Sequence, residues 1–239
     1  MSRSIFTLPA LAGLAGCVVP LHHDSGVTAV NEPFDTVVVV VETGSVEILG
    51  GTTEAYEVGW DSHWTTRCPD VDMEVSEGVL YVTGRCPDGA LGCSTDLLIE
   101  APAGVDVQVA ITTGRLWLEG VGAVEAQIAT GDMEILGATD QADLEITTGS
   151  ITGIDLAVDR LRAQVTTGGI DLTLDEPFDL LQAEIVTGEI TLGVPHGCYD
   201  LDLDVVTGAI DTDGVDCGCD EDATIWARAV TGAITVVGN

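Results

Sequence analysis

Apolar and polar residues alternate along most of the chain after residue 36, and the alternation changes phase at a repeated Thr-Gly pair. Near residue 187, for example, the apolar positions are Leu181, Ala183 and Ile185 before the pair and Ile190 and Leu192 after it. Because side chains alternate with period two along a strand, a slip of one residue indicates a bulge or a corner. The pair occurs eight times, as Thr43-Gly44, Thr113-Gly114, Thr130-Gly131, Thr148-Gly149, Thr167-Gly168, Thr187-Gly188, Thr207-Gly208 and Thr231-Gly232.

The spacing of these pairs predicts the fold. From Gly114 onward the glycines are 17, 18, 19, 20, 20 and 24 residues apart, which fits the rungs of a parallel β-solenoid, or β-helix, whose loops absorb the variation. The expected architecture is an all-β single domain with rungs stacked about 4.8 Å apart. Glycine supplies the positive φ of a corner, and the threonine, in the inward phase, is expected to stack on the threonine of the next rung.

A repeated ligand site is the alternative explanation of the pair. It would place one kind of side chain at the exposed position after each glycine. Those residues share no chemistry: Ser45, Arg115, Asp132, Ser150, Gly169, Glu189, Ala209 and Ala233. The Thr-Gly pair is therefore interpreted as a structural corner.

The beginning of the chain has the pattern of an export signal. Arg3 supplies a positive charge, and residues 5–13 are apolar but too few to cross a bilayer as a helix. Leu14-Ala15-Gly16-Cys17 resembles the bacterial lipobox, in which the cysteine is lipidated. Val18 stands where the inner-membrane retention signal has Asp. The sequence thus predicts a cell-envelope lipoprotein anchored through Cys17, with the outer membrane favoured, on its periplasmic side or at the cell surface.

The predicted domain organisation has three parts. Residues 1–16 are the lipoprotein signal peptide, 17–35 the lipidated N-terminus and tether, and 36–239 the β-solenoid. Residues 50–100 break the period and are expected to be irregular, with a side insertion that contains cysteines.

Six cysteines remain besides Cys17, and an even number in an oxidising compartment suggests disulfides. They form two triplets several rungs apart, on the order of 20 Å, beyond disulfide reach. Local pairing with one thiol left over in each triplet is expected, unless the insertion folds back along the stack and brings the two triplets together. The expected first pair is Cys68 with Cys86, and the second is Cys198 with Cys217 or Cys219, which leaves Cys93 without a partner in the first triplet.

The formal charge of −33, from 40 acidic and 7 basic residues, excludes nucleic acid as a partner, because phosphate binding needs Lys and Arg. It also disfavours adsorption to anionic lipid headgroups, so membrane attachment is left to the lipid anchor. The acids are spread along the chain, which indicates a solvated acidic surface rather than a disordered tail.

Residues 97–137 resemble a known family. The segment "LLIEAPAGVDVQVAITTGRLWLEGVGAVEAQIATGDMEILG" has an apolar strand ending in Pro102-x-Gly104, followed by sequential T-G-x-apolar-x-apolar rungs. In these features it resembles the bacterial "putative adhesin" β-solenoid family. The resemblance covers residues 36–239, less well across 50–95, and implies a solenoid fold and a location in the cell envelope. It supplies no catalytic residues.

An acidic loop is a candidate for weak Ca²⁺ binding. Residues 211–222 contain Asp211, Asp213 and Asp216 beside glycine, and oxygen-rich loops of this kind can bind Ca²⁺. The spacing matches neither the EF-hand nor the nonapeptide of calcium β-rolls, so a solvated loop is the competing interpretation. No other cofactor is expected.

A polysaccharide-acting enzyme is a further alternative. Glu134, Asp171 and Asp211 are expected on alternate rungs, about 9.6 Å apart, near the carboxylate separation of inverting glycosidases. A catalytic groove would bring them together beside Trp117 or Trp226. No cluster of Lys or Arg accompanies them to bind an acidic sugar.

The outward positions are expected to stack in columns that are rich in acids. One predicted column contains Asp106, Glu125, Asp143 and Arg162, so that three acids precede a compensating arginine. His22 and His23 fall in the tether, where a metal role is the alternative to a plain linker, and neither His63 nor His196 has a partner histidine nearby in the sequence. The sequence as a whole predicts a non-catalytic, adhesin-like or scaffold lipoprotein that presents acidic faces to an unknown protein or glycan.

Overall fold

The computed structural model describes residues 21–51, 56–215 and 223–239. The domain is all-β, and its twelve strands form one largely parallel sheet. The predicted all-β single domain is confirmed, whereas the coiling of this sheet into a solenoid stays a prediction. Within the described ranges, no helix has the length and apolar character needed to span a membrane.

The strands are longer than ordinary strands because most of them continue through a Thr-Gly corner. Strand β9 contains two corners, at Gly149 and Gly168. In chain order the strands are β1 (His22–Val30), β2 (Thr36–Gly51), β3 (Tyr56–Trp64), β4 (Asp70–Ser76), β5 (Val79–Arg85), β6 (Ser94–Pro102), β7 (Asp106–Glu119), β8 (Val124–Leu136), β9 (Thr139–Leu174), β10 (Leu180–Val194), β11 (Tyr199–Asp213) and β12 (Ala223–Gly238).

The interior is filled by the alternating apolar positions. In β10, Leu181, Ala183 and Ile185 are buried before the corner, and Ile190 and Leu192 are buried after it. Burial of such aliphatic side chains, at about 25 cal/mol per Å² of apolar surface, is the main favourable contribution to folding. The last buried residue before the corner and the first one after it are five positions apart. Because this number is odd, the buried positions change phase at the corner.

The threonine of the corner does not face the interior. Val186 is 44% exposed, and Thr187 beside it is exposed as well. The other corner threonines are also exposed, apart from the half-buried Thr43. The expected inward orientation is therefore wrong, whereas the expected alignment of threonine with threonine is present, since Thr187 is the register partner of both Thr167 and Thr231. The chain turns outward one residue before the threonine, so four consecutive residues lie between two buried ones.

The corner glycines stack directly on one another. Gly168 has a φ of +146°, and a Cβ atom there would overlap the carbonyl oxygen of Gly149 in the neighbouring strand. The same backbone contact links all eight corners in the spatial order Gly44, Gly114, Gly131, Gly149, Gly168, Gly188, Gly232, Gly208. Both the positive φ and the close approach of the backbones explain why glycine occupies this position.

The strands do not stack in chain order at either end of the sheet. The order is β1-β3-β6-β2-β7-β8-β9-β10-β12-β11, with β5 also paired to β2. Strand β12 lies between β10 and β11, so the last strand of the chain is internal and β11 forms the edge. At the other end, β2 has β7 on one side. On its other side it pairs with β5 along its first part and with β6 along its last part. This corrects the expected sequential stacking of rungs.

Residues 56–102 are more regular than expected, although they do break the repeat. Strand β4 pairs with β5, and β3 pairs with β6, in both cases antiparallel. Residues 22–30, assigned above to the tether, form strand β1, which pairs antiparallel with β3. The insertion is the short connection from β5 to β6. It lies beside the Gly44 corner of β2, where the other neighbouring strand, β7, has a Thr-Gly corner.

The disulfide in the first triplet differs from the expected one. Cys86 bonds to Cys93, which closes the connection between β5 and β6. Cys68 is an exposed free thiol. Because Asp70 pairs with Arg85, Cys68 and Cys86 both lie at the open end of the β4–β5 hairpin, but Cys86 bonds instead to Cys93, seven residues away in the same connection. Cys198 is also disulfide-bonded. Cys17, Cys217 and Cys219 lie outside the described residues.

Candidate functional site

Two columns of outward side chains cross the sheet before the corners. We call them the first and second outer columns. The first contains, in spatial order, Gln108, Glu125, Asp143, Arg162, Gln182, Trp226 and Asp202. The second contains Ala110, Gln127, Glu145, Gln164, Glu184, Arg228 and Asp204.

The register corrects the predicted first column at one end. Gln108, and not Asp106, pairs with Glu125. Asp106 lies two residues earlier and accepts a hydrogen bond from the Ala123 backbone N–H, at 3.0 Å. The column therefore contains two consecutive acids before Arg162 instead of three, which reduces the like-charge repulsion between neighbouring strands.

Each column contains one arginine next to an acid. Arg162 lies 3.8 Å from a carboxylate oxygen of Asp143, and Arg228 lies 3.4 Å from one of Asp204. Arg228 also lies over the ring of Trp226, 5.0 Å from its centroid. All four charged side chains of these pairs are about half exposed, so each pair contributes little to stability, roughly 0–1 kcal/mol. Because β12 lies between β10 and β11, Arg228 lies between Glu184 and Asp204.

A groove of about 590 Å³ runs along the first outer column, from β2 to β10. Its charged lining consists of the acids Asp106, Glu125 and Asp143 and the bases Arg160 and Arg162. It is open to solvent, and its lining is about half polar. Such a surface suits a charged, extended partner better than a buried small molecule, because small-molecule sites are mostly enclosed and apolar.

Crowding of acids affects one carboxyl group in the connection between β9 and β10. A side-chain hydrogen bond with Asp155 raises the pKa of Asp175 above its ordinary value of 3.8, with further contributions from desolvation and from the charges of Asp155 and Glu176. The folded state therefore holds this proton more tightly than the unfolded chain does. The stability from this group is present at low pH and is lost as the pH rises through the raised pKa.

The carboxylates considered for catalysis do not converge. Thr152 lies between Glu134 and Asp171 across the sheet, because β9 passes twice through it, so these two carboxylates are two strand spacings apart, about 9.6 Å. Asp171 and Asp211 are three strands apart, since Thr191 and the β12 residue Thr235 both lie between them. The expected spacing of alternate rungs is therefore wrong for Asp211. Trp117 pairs with Glu134, and Trp226 lies in the other half of its strand, before the corner.

The residues considered for Ca²⁺ are only partly described. Asp211 and Asp213 lie on the same side of the edge strand β11. Asp216 lies outside the described residues, so Ca²⁺ binding by this loop stays a prediction.

A different cluster brings metal-binding side chains together. Among the described residues, one group of at least three His, Cys, Asp or Glu has its ligand atoms within 4.8 Å of one another, and it consists of His23, Asp61 and His63. Nε2 of His23 lies 2.8 Å from Oδ1 of Asp61, and Nδ1 of His63 lies 3.3 Å from the same oxygen. The two imidazole rings are 5.0 Å apart.

The sequence did not reveal this cluster. His23 was assigned to a tether, and 40 positions separate it from His63. The antiparallel register of β1 and β3 pairs His23 with His63 and thereby places both on the face that carries Asp61. The only local signal is the alternation in Asp61-Ser62-His63, which puts two ligand types on one face of a strand.

The free thiol lies near the opposite face of β1. A small cavity of about 220 Å³ is lined by Cys68, Asp24 and Trp60 together with Ser62, Pro69, Val71 and Met73. Partial desolvation, and then the charges of Asp24 and Asp70, raise the pKa of the Cys68 thiol. A thiol with a raised pKa has less thiolate at neutral pH and is a weaker nucleophile there.

Comparisons with solved structures find bacterial proteins of low similarity to this chain. No family model and no curated protein matches the chain. A "putative cell adhesion protein" from Clostridium sporogenes is 12% identical, with a TM-score of 0.39, over 91% of this chain and 100% of that one. A "putative adhesin" from Parabacteroides distasonis is 13% identical, with a TM-score of 0.47, over 90% of this chain and 97% of that one.

A third similar structure has a different description. It is a "putative lipid binding protein" from Parabacteroides distasonis, 9% identical with a TM-score of 0.44, over 88% of this chain and 96% of that one. All three TM-scores lie below 0.5. Function has to be inferred from the residues of this chain.

Proposed function

We propose that this chain is a non-catalytic cell-envelope lipoprotein whose β domain, coiled as a solenoid, is a scaffold that presents acidic faces to a cationic protein or glycan. The observation that carries the proposal is the first outer column with its groove. Glu125 and Asp143 are exposed on neighbouring strands there, and Asp106 lines the same groove. Arg160 and Arg162 line the groove too, so its three acids exceed its bases by one, and this excess of negative charge attracts cationic groups.

The arrangement of the domain supports a scaffold role. Its inward positions are aliphatic, and the candidate carboxylates Glu134, Asp171 and Asp211 are held apart by threonines on the rigid strands between them. The outer columns are instead regular and extended. Such surfaces are typical of stacked repeat domains that bind extended partners.

The predicted anchor would hold this domain close to the membrane. Cys17 precedes the first residue of β1, His22, by five positions. A fully extended chain covers at most about 3.6 Å per residue, so this distance is at most about 18 Å. The tether is therefore much shorter than the predicted 17–35 segment. A tether this short favours a partner near the membrane surface.

Charge reversal in the groove tests the proposed function. Replacement of Glu125→Lys together with Asp143→Lys should abolish the capture of a cross-linked partner from intact cells, because it changes the local charge by four units at the binding surface. Capture by the native chain should also weaken as salt is raised, since exposed charges are screened beyond about 10 Å at 0.1 M.

The matched control is Glu134→Lys with Asp171→Lys, which changes the net charge equally on the part of the sheet beyond the corners. This variant should capture the partner as the native chain does. Equal loss in both variants, or capture that is insensitive to salt, would contradict the assignment of the binding surface to the groove.

A further inference from the structure

We propose that His23, Asp61 and His63 form a binding site for a divalent transition metal of the zinc class, and that the bound ion fastens β1 to β3. The site takes one ligand from β1 and two from β3. It lies beyond the outer columns, at the opposite end of the strand order from β11, so it is separate from the proposed partner surface.

The distances suit one ion. Two ligands of a tetrahedral zinc ion, each about 2.0–2.1 Å from it, are about 3.4 Å apart. The separations from Oδ1 of Asp61 are 2.8 Å to Nε2 of His23 and 3.3 Å to Nδ1 of His63. The backbone register therefore already places the three ligand atoms close to the separations that metal binding needs.

The carboxylate oxygen lacks a hydrogen-bond partner. Oδ1 of Asp61 is shielded from solvent and accepts no hydrogen bond, although both imidazole nitrogens are near it. The nitrogens are close enough for ion pairs but are not directed as hydrogen-bond donors to this oxygen. The Asp61 side chain as a whole is about half exposed, but a shielded carboxylate oxygen without a partner is unfavourable, and a cation between the three atoms would satisfy it.

The charges around the cluster also favour a cation. Asp96 on β6 is the register partner of Asp61 and lies on the same face. Like charges directly opposite each other on neighbouring strands repel. In the described part of the chain neither acid pairs with a Lys or Arg, and Oδ1 of Asp96 accepts only the Ser45 backbone N–H, at 2.7 Å.

The ligand types select the metal. Imidazole nitrogens favour zinc and the neighbouring transition metals, whereas Ca²⁺ and Mg²⁺ prefer oxygen ligands. Three protein ligands leave one tetrahedral position, which water or a partner side chain can occupy.

The position of the cluster gives the ion a structural role. Strand β1 pairs with β3 alone, and most of its side chains are exposed. Few buried apolar contacts hold it, so its attachment depends on backbone hydrogen bonds and on the side chains of this cluster. An ion that joins His23 to Asp61 and His63 would add a cross-link at the anchor-proximal end of β1, because metal binding to the docked state alone stabilises that state.

Zinc titration of the full chain tests the site. The protein, purified in detergent with Cys68→Ser to remove the free thiol, is dialysed against EDTA and titrated with Zn²⁺ by calorimetry. One ion per chain is expected, and His23→Ala or Asp61→Asn should weaken binding by at least about tenfold, as even the loss of an outer partner of a metal site does. Ca²⁺ at the same concentrations should produce no binding signal from these three residues.

His22→Ala is the matched control. His22 is adjacent to His23 but on the opposite face of β1, where its ring lies 5.8 Å from that of Trp64. The His22→Ala substitution should leave the affinity for zinc unchanged. Absence of zinc binding, or equal losses in His22→Ala and His23→Ala, would overturn the site and leave a group of His–Asp ion pairs only.

Hydrogen exchange tests the fastening of β1. Zinc should slow the exchange of the amides of residues 22–30 in the chain with native ligands and should leave them unchanged in His23→Ala. Stoichiometric zinc binding without any protection of β1 would overturn the proposed role of the ion as a fastener.

Discussion

Replacement of Gly168 by alanine is expected to lower the free energy of unfolding by at least about 3 kcal/mol, or to prevent folding. Gly168 has a φ of +146°, which strains any residue with a Cβ atom. The new methyl group would also overlap the carbonyl oxygen of Gly149, and a backbone oxygen within a parallel sheet cannot move aside without breaking the register. Chemical denaturation followed by circular dichroism measures the change.

The neighbouring Gly169 provides the control. A Cβ atom there would meet only the Glu189 carbonyl oxygen, at an ordinary contact distance of 3.9 Å, and no positive φ is required. Gly169→Ala should change stability by less than about 1 kcal/mol, in either direction, as is usual for compatible Gly-to-Ala changes. Similar losses from the two substitutions would contradict the stacked-corner account.

The second large effect concerns strand order. Ile234→Ala is expected to cost about 2–5 kcal/mol, as is usual for truncation of a fully buried isoleucine, whereas Ile210→Ala should cost less than about 1 kcal/mol. The two isoleucines are register partners on β12 and β11, but Ile234 is 0% exposed and Ile210 is 45% exposed. The difference arises because β12 is internal and β11 is the edge.

The same pair of variants distinguishes the alternative topology. If the strands stacked in chain order, β11 would be internal and β12 would be the edge. Ile210→Ala would then be the more destabilising substitution. That result, in denaturation curves measured with both variants, would refute the interleaved order of the sheet.

The sequence predicted the corners because they depend on local backbone chemistry. The phase change from Ile185 to Ile190 and the requirement for Gly188 can both be read from the alternation of apolar residues. The outward orientation of Thr187 could not be read from the alternation. Its parity matched the inward residues, but the chain turns outward before it, and a binary pattern does not show on which residue a corner begins.

The strand order could not be predicted for a related physical reason. Any two strands with a Thr-Gly corner can align Thr with Thr and Gly with Gly, so their registers are equivalent in the sequence. Strand β11 carries a row of acids that discourages further strand pairing, namely Asp200, Asp202, Asp204, Asp211 and Asp213.

The candidate site was partly predictable. Acidic outward faces follow from the charge and the alternation, and the arginine beside Asp143 was expected. The position of Arg228 between Glu184 and Asp204 required the interleaved order. The His23–Asp61–His63 cluster required the long-range pairing of β1 with β3, which the apparent tether composition of residues 17–35 concealed.

The most direct test of the central claim, that this β domain is an envelope scaffold anchored by its N-terminus, is membrane fractionation of cells fed a labelled fatty acid. The native chain should be in the membrane fraction and carry the label, and Cys17→Ser should lose the label and leave that fraction while the domain stays folded. A native chain without label, or a Cys17→Ser chain that stays in the membrane fraction, would contradict the account.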